Sequence, residues 1–305
     1  MPDFSEFASF VARKSGIGNA RLAEKDILLH RLLWELRSSG LLSSYLFKGG
    51  SCLVKCYCGY YRFSVDLDFT WRDQSAWERL GKKELRRGLL RRIEEFASAL
   101  AGASEKAGLK FESDLGERRF VEFGGGGRMV TFKLWSGTEL VKVQVNFIEK
   151  LLFPPKPVKV NTLLGSARLS KEERAYFREP LEFYRPFKLQ AYDEREILCE
   201  KVRAILTRRV QKLRDFYDLF VLSKHGFKLR DLKRQIVEKV RASLHYKKYR
   251  DNLSRNRSEL RIGPSVLEDP FERSLLVTEP EGDFEDFLAG LMSELKQIAD
   301  EALRS

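Results

Sequence analysis

The segment running from residue 46 to residue 69, LFKGGSCLVKCYCGYYRFSVDLDF, constrains this chain more than any other. Gly49-Gly50-Ser51 is a turn at which no Cβ keeps an incoming group away from the backbone amides. Asp66 and Asp68 follow within a run that alternates as a strand does, so both carboxylates stand on one face. Paired carboxylates make a poor core and a good site for Mg²⁺ or Mn²⁺, which are hard cations that prefer oxygen. A nucleoside triphosphate held at the turn would bring its metal to the acids. The chemistry predicted by this order of residues is nucleotidyl transfer.

The periodicities around this segment predict an α+β protein. An amphipathic helix over 20–40 ends at Gly40, and a short strand over 45–47 leads into Lys48-Gly49-Gly50. Residues 51–57 suit a helix whose N-terminus faces the glycines, and 65–70 a strand carrying the acids. A charged helix over 75–108 clusters Lys82, Lys83, Arg86, Arg87, Arg91 and Arg92. Strands are expected at 109–113, 118–123, 128–134 and 140–148, with Gly124-Gly125-Gly126-Gly127 as a hairpin turn. Pro154-Pro155-Lys156-Pro157 breaks the pattern, and beyond residue 160 the chain reads as mainly helical. The expected division is a catalytic lobe with a small mixed sheet over 1–157 and a helical lobe over 158–305.

Composition narrows the function class. No apolar run approaches the roughly 18–20 residues that span a bilayer, and the first residues lack the basic-then-apolar order of a signal peptide, so a cytoplasmic protein is expected. The four cysteines do not form a disulfide framework, and Cys52, Cys56 and Cys58 match no common zinc spacing. His30, His225 and His245 form no catalytic set, which leaves acid–base chemistry to carboxylates.

The net charge of +12 points to an anionic partner, and it is unevenly placed. Residues 224–261 carry thirteen Lys or Arg against four acids, and 278–301 carry eight acids against Lys296 alone. The basic segment, which includes Lys247, Lys248 and Arg250, reads either as a solvated face with the acidic tail folded over it or as an RNA-binding surface. Beside a nucleotide site, RNA is the favoured partner.

The residues from Arg62 to Phe69 read R-F-S-V-D-L-D-F. With the Gly-Gly-Ser turn upstream, this resembles the AbiEii/AbiGii-type nucleotidyltransferase toxins, a branch of the polymerase-β-like superfamily. A second block of that family also stands here: Ile197-Leu198-Cys199-Glu200-Lys201-Val202-Arg203-Ala204, then Arg214-Asp215-Phe216-Tyr217-Asp218-Leu219. The matched segments cover about a third of the chain, and nothing beyond residue 225 matches. The resemblance implies that Lys48, Gly49, Gly50, Ser51, Arg62, Ser64 and Lys201 contact the nucleotide. It implies that Asp66 and Asp68 hold the metal, and that Lys201 and Asp215 complete the catalytic set. It further implies an RNA acceptor, with the tRNA 3′ end suggested by relatives, and a cognate antitoxin.

Alternatives stay open at this level. Arg62 either touches phosphate or neutralises the aspartates. The third carboxylate of polymerase-β-like enzymes is missing from 141–147, where Gln144 and Asn146 hold the polar positions, and Glu149 follows with the opposite parity. It comes from Asp215 or is absent, and its absence would make the chain a non-catalytic nucleotide- or RNA-binding member. Asp66-Leu67-Asp68-Phe69-Thr70 also fits the D-x-D-x-T phosphatase motif, but alternating rather than apolar residues precede it. Lys201 and Asp215, about 21 Å apart on one uninterrupted helix, require a turn between Thr207 and Lys212.

Overall fold

Alternation of period two makes a sheet with one apolar and one polar face. In the computed structural model, which describes residues 4–304, this produces a mixed seven-stranded sheet. Its strands are β1 (Tyr45–Lys48), β2 (Asp66–Trp71), β3 (Val121–Gly124), β4 (Met129–Ser136), β5 (Glu139–Asn146), β6 (Lys156–Val160) and β7 (Phe187–Ala191). They pair in the order β3-β4-β5-β2-β1-β7-β6, with β2–β5 and β1–β7 parallel. Leu67, Phe69, Val143, Val145, Val130 and Phe132 are wholly buried on one face. The opposite face carries a row of paired residues across five strands: Lys48, Asp68, Gln144, Thr131 and Glu122.

The first helices are α1 (Phe4–Ser15), α2 (Ala20–Ser38), α3 (Gly49–Cys52), α4 (Lys82–Lys106), α5 (Lys171–Tyr176) and α6 (Arg178–Phe183). Helix α4 covers the apolar face, with Phe96 stacked on Phe132 at 5.4 Å and edge-on to Tyr45 at 4.9 Å. The remaining helices are α7 (Glu194–Thr207), α8 (Leu213–Lys224), α9 (Lys233–Ser243), α10 (Lys247–Glu259), α11 (Pro264–Leu267), α12 (Pro270–Ser274) and α13 (Phe284–Leu303). The chain forms two compact units, one of residues up to 149 with 155–192, the other of 150–154 with the chain from 193 onward. No helix among the described residues is long and apolar enough to cross a membrane.

Several boundaries differ from the sequence reading for local reasons. The 109–113 strand reduces to one bridge, Lys110 with Trp135, because Asp114 accepts from the Gly116 amide and turns the chain. Asp73 caps a 3₁₀ turn at Gln74–Trp77, so the charged helix begins only at Lys82. The proline run opens strand β6 instead of leaving the sheet. Pro157 is tolerated there because β6 is an edge strand. Residues 158–192 therefore pack with the first unit, where the sequence reading places them with the helical lobe. The alternation of Phe187, Leu189 and Ala191 is the signal for β7 that the helical reading passed over.

Helix α3 begins at Gly49 and passes into a π-helical turn, Leu53–Cys58, fixed by a buried polar network. Lys55 Nζ lies 2.5 Å from Asp26 Oδ1 on α2, and Tyr60 and Tyr184 both donate to Asp26 Oδ2, at 3.1 and 2.7 Å. Burial, then the charge of Asp26, holds both phenols well above their ordinary pKa, so they remain donors. Burial, and then the Lys55 charge, drives the His30 pKa well below its usual value. The neutral ring donates Nε2–H to the Arg185 carbonyl at 3.0 Å. Asp26→Ala would leave the Lys55 ammonium buried without its counter-charge. The expected loss is about 3–5 kcal/mol in urea unfolding, against about 1 kcal/mol for Tyr60→Phe.

Candidate active site

In the first unit the two glycines have separate reasons to be glycine. Gly49 sits at φ +74, and a Cβ there would overlap the carboxylate of Asp68. A Cβ on Gly50 would come 2.7 Å from Arg62 Nη2 and 3.2 Å from Ser64 Oγ. The turn is therefore clamped between the acid-bearing strand and the Arg62–Ser64 segment. The Ser51 hydroxyl donates to the carbonyl of Asp66, which ties the first helical turn to the start of β2. Its side chain thus holds the strand, leaving the first-turn amides as the groups suited to an anion.

Arg62 is 1% exposed and donates from Nη1 to the Phe63 carbonyl at 2.8 Å, so its guanidinium braces the turn from within. Asp66 and Asp68 are half-buried on the polar face, flanked across the sheet by Lys142 and Lys48 respectively. Lys48 Nζ stands 3.7 Å from Glu149 Oε2 and 5.3 Å from the Tyr192 ring centre. Strand β5 stops at Asn146, so the parity argument against Glu149 lapses. Asn146 Nδ2 donates to Glu149 Oε2 at 2.9 Å, and the Glu149 amide donates to Gln74 at 2.8 Å. Among the described residues no three or more His, Cys, Asp or Glu side chains are grouped to hold a metal ion. The carboxylate oxygens of the Asp66–Asp68 pair fit the needs of Mg²⁺, an ion that commonly takes one or two carboxylates and fills its shell with phosphate oxygens and water.

In the second unit the chain does turn where the geometry demanded it, between Thr207 and Leu213. Lys201 Nζ donates to Asp215 Oδ1 at 2.8 Å and lies 2.6 Å from Asp218 Oδ2, while Arg208 pairs with Asp215 from the turn itself. Burial alone would raise the Asp215 pKa, but Lys201 and Arg208 outweigh it and hold the carboxyl below its ordinary value. Arg214 pairs with Glu272 at 3.5 Å in a structural contact. Cys199 is a buried thiol pushed up to about 12, chiefly by burial and then by Glu196.

Over residues 31–304 the chain matches a family model described as nucleotidyl transferase AbiEii toxin, Type IV TA system. It belongs to that family. No curated protein matches the chain. That family is one of nucleotidyltransferase toxins of type IV toxin–antitoxin systems, which supports a transferase and implies an antitoxin partner. Membership sets aside the phosphatase reading and extends the match through the tail that the motifs did not reach.

The sequence missed three participants in the geometry of this AbiEii-family transferase. Glu149 reads with the opposite parity, Lys142 shares the face of Asp66, and Arg208 is the second cation on Asp215. Only Lys142 carried a signal, the alternation of β5 itself. The basic segment divides in two. Helix α13 packs along α9 and α10, where Lys233 meets Glu301 at 2.9 Å and Arg257 pairs with Asp300. Lys247, Lys248 and Arg250 remain exposed.

Gly49→Ala should force the Asp68 carboxylate aside as well as strain the backbone by about 1–3 kcal/mol. Gly59→Ala, at φ +75 with open space around it, should cost the same stability and leave nucleotidyl transfer unchanged. Parallel urea titrations and transfer assays on the two variants separate strain from site damage. A second expectation concerns pH. Asp215 has its folded pKa depressed, so its charge contributes stability that is fully present above the unfolded value near pH 4 and is lost as pH falls through the folded one. The stability gap between wild type and Asp215→Asn should therefore be greatest at neutral pH and close in acid.

Proposed function

We propose that the protein transfers a nucleotide from a nucleoside triphosphate to an RNA acceptor, with the tRNA 3′ end the first candidate. The observation that carries the reading is the packing of the Gly49–Gly50 turn against Asp68, on the sheet face that also bears Asp66. Packing of this kind supports a reading in which turn amides take an anion beside the paired carboxylates. On this reading the first-turn amides of Gly49, Gly50 and Ser51 take the triphosphate, with the Lys48 ammonium close by. Asp66 and Asp68 would hold Mg²⁺ or Mn²⁺, which when bound neutralises phosphate charge and lowers the pKa of an attacking hydroxyl. Buried Arg62 and half-buried Ser64 keep the turn in place.

The second block is assigned the roles of the family pattern. Lys201 gives two of its N–H groups to Asp215 and Asp218, and its third is the one for a phosphate oxygen. Asp215 is kept anionic by its two cations and serves the metal or the base. Lys247, Lys248 and Arg250 offer phosphate contacts to RNA. An antitoxin encoded alongside and a cytoplasmic location complete the proposal.

The test incubates the protein with total tRNA, Mg²⁺ and each α-³²P-labelled nucleoside triphosphate, beside Asp66→Ala and Asp68→Ala. Label should enter RNA from one nucleotide and fall at least about 100-fold in either variant, the scale on which loss of a charge-stabilising group acts. Full transfer by either variant would sink the assignment. Tight nucleotide binding without turnover would instead identify a silent member, and label on polypeptide would identify a protein-modifying one.

A further inference from the structure

The exposed start of α4 is the strongest charged feature that the proposed site does not use. Its first three turns hold Lys82, Lys83, Arg86, Arg87, Arg91 and Arg92 with Glu84 as the one acid. Lys82, Lys83, Arg86 and Arg87 are exposed, and Arg91 has a side chain 67% exposed. Glu84 accepts from the Gly81 amide, and upstream Asp73 accepts from Ser75 and the Ala76 amide, so both acids are occupied with capping. Among the described residues, Lys82, Lys83, Arg86 and Arg87 make no ion pair, and Arg91 reaches Glu95 only at 3.9 Å.

The placement of these turns explains why they stay bare. Helix α4 buries Leu89, Ile93, Phe96 and Leu100. Arg92 lies over Trp71 at 4.6 Å, at the end of β2 farthest from Asp66. The preceding turns project past that end of the sheet. Lys82 and Arg86, in helical register with buried Leu89 and Ile93, are therefore in solvent. Trp77 fixes the projection: its Nε1 donates to the Phe147 carbonyl at 2.7 Å, and a Cβ on Gly88 would meet its ring at 3.1 Å.

We infer that this projecting basic helix is a docking surface for the phosphate backbone of structured RNA, separate from the acid pair. Residues 82–91 span roughly 14 Å of helix, over which a nucleic-acid duplex presents about eight phosphate charges. Cations three and four residues apart on a helix stand about 5–6 Å apart, which suits successive contacts along a strand. A lipid surface fits less well, since an interfacial helix needs a continuous apolar face. Here the exposed large apolar residues are Leu80 at 39% and Leu90 at 45%. If the proposed transferase reading holds, which this inference extends, the body of the acceptor rests on α4 while its free end reaches the acids on the other face of the sheet.

The test is direct binding, which does not depend on turnover. A fluorescent RNA hairpin is titrated by anisotropy, across a salt series, against wild type, Asp66→Ala and the quadruple variant Lys82→Ala, Lys83→Ala, Arg86→Ala, Arg87→Ala. The quadruple variant should bind about tenfold or more weakly at low salt, and its slope of log K against log salt should be shallower by about 3–4. Asp66→Ala should bind as wild type does. All four side chains are exposed, so an unchanged thermal melt checks the fold. Equal RNA affinity and slope in the quadruple variant would overturn the inference. So would unchanged RNA binding accompanied by lost binding to phosphatidylserine vesicles or to an acidic peptide. If wild type transfers no nucleotide to any RNA, the shallower slope would still support the surface while the transferase reading fell.

Discussion

Strand β2 lies between β5 and β1 and buries Leu67 and Phe69 completely on one face while Asp66 and Asp68 stand on the other. The rest of the first unit depends on that alternation. The apolar side anchors the strand against α4 through Phe69 and Phe96, 6.0 Å apart, so the acids cannot slip in register without exposing a core. The polar side then gains its neighbours by pairing alone, since Lys48 and Gln144 stand directly opposite Asp68. Fixing the carboxylates in this way costs no additional interaction beyond the core itself.

The glycine turn completes the arrangement from above. Its close approach to Asp68 and Arg62 gives the pair of glycines a packing reason. The π-helical segment that follows is held by Lys55 and Asp26, a buried ion pair whose remaining bonds are met by tyrosines. Such a pair is costly to break rather than strongly stabilising, which suits a device that fixes one geometry.

Charge is distributed on the same economy. In the second unit the acidic helix α13 neutralises part of the basic segment through Lys233 and Arg257, and Lys239 is buried against Glu196 at 2.8 Å. Much of the positive charge in the sequence there is therefore structural. Exposed cations that form no ion pair among the described residues include Lys82, Lys83, Arg86 and Arg87 at the start of α4, and Lys247, Lys248 and Arg250.

Local chemistry in the sequence was enough to give the Gly-Gly-Ser turn, the acid pair two residues apart on one strand face and the α+β class, because period and turn chemistry are properties of neighbouring residues. The break after Thr207 followed instead from the resemblance, which puts Lys201 and Asp215 in one site. Strand ends were less legible: β5 stops at Asn146 where the pattern extends to 148, so parity no longer bears on Glu149, since the end of a strand is set by its partners. Only the tertiary structure decided that Pro157 enters an edge strand, that Arg62 is buried, that Ser51 bonds the backbone of Asp66, and that Arg208 shares Asp215 with Lys201. Each of these joins residues through packing and ion pairing across elements, and no periodicity along one segment encodes which distant side chain will meet it.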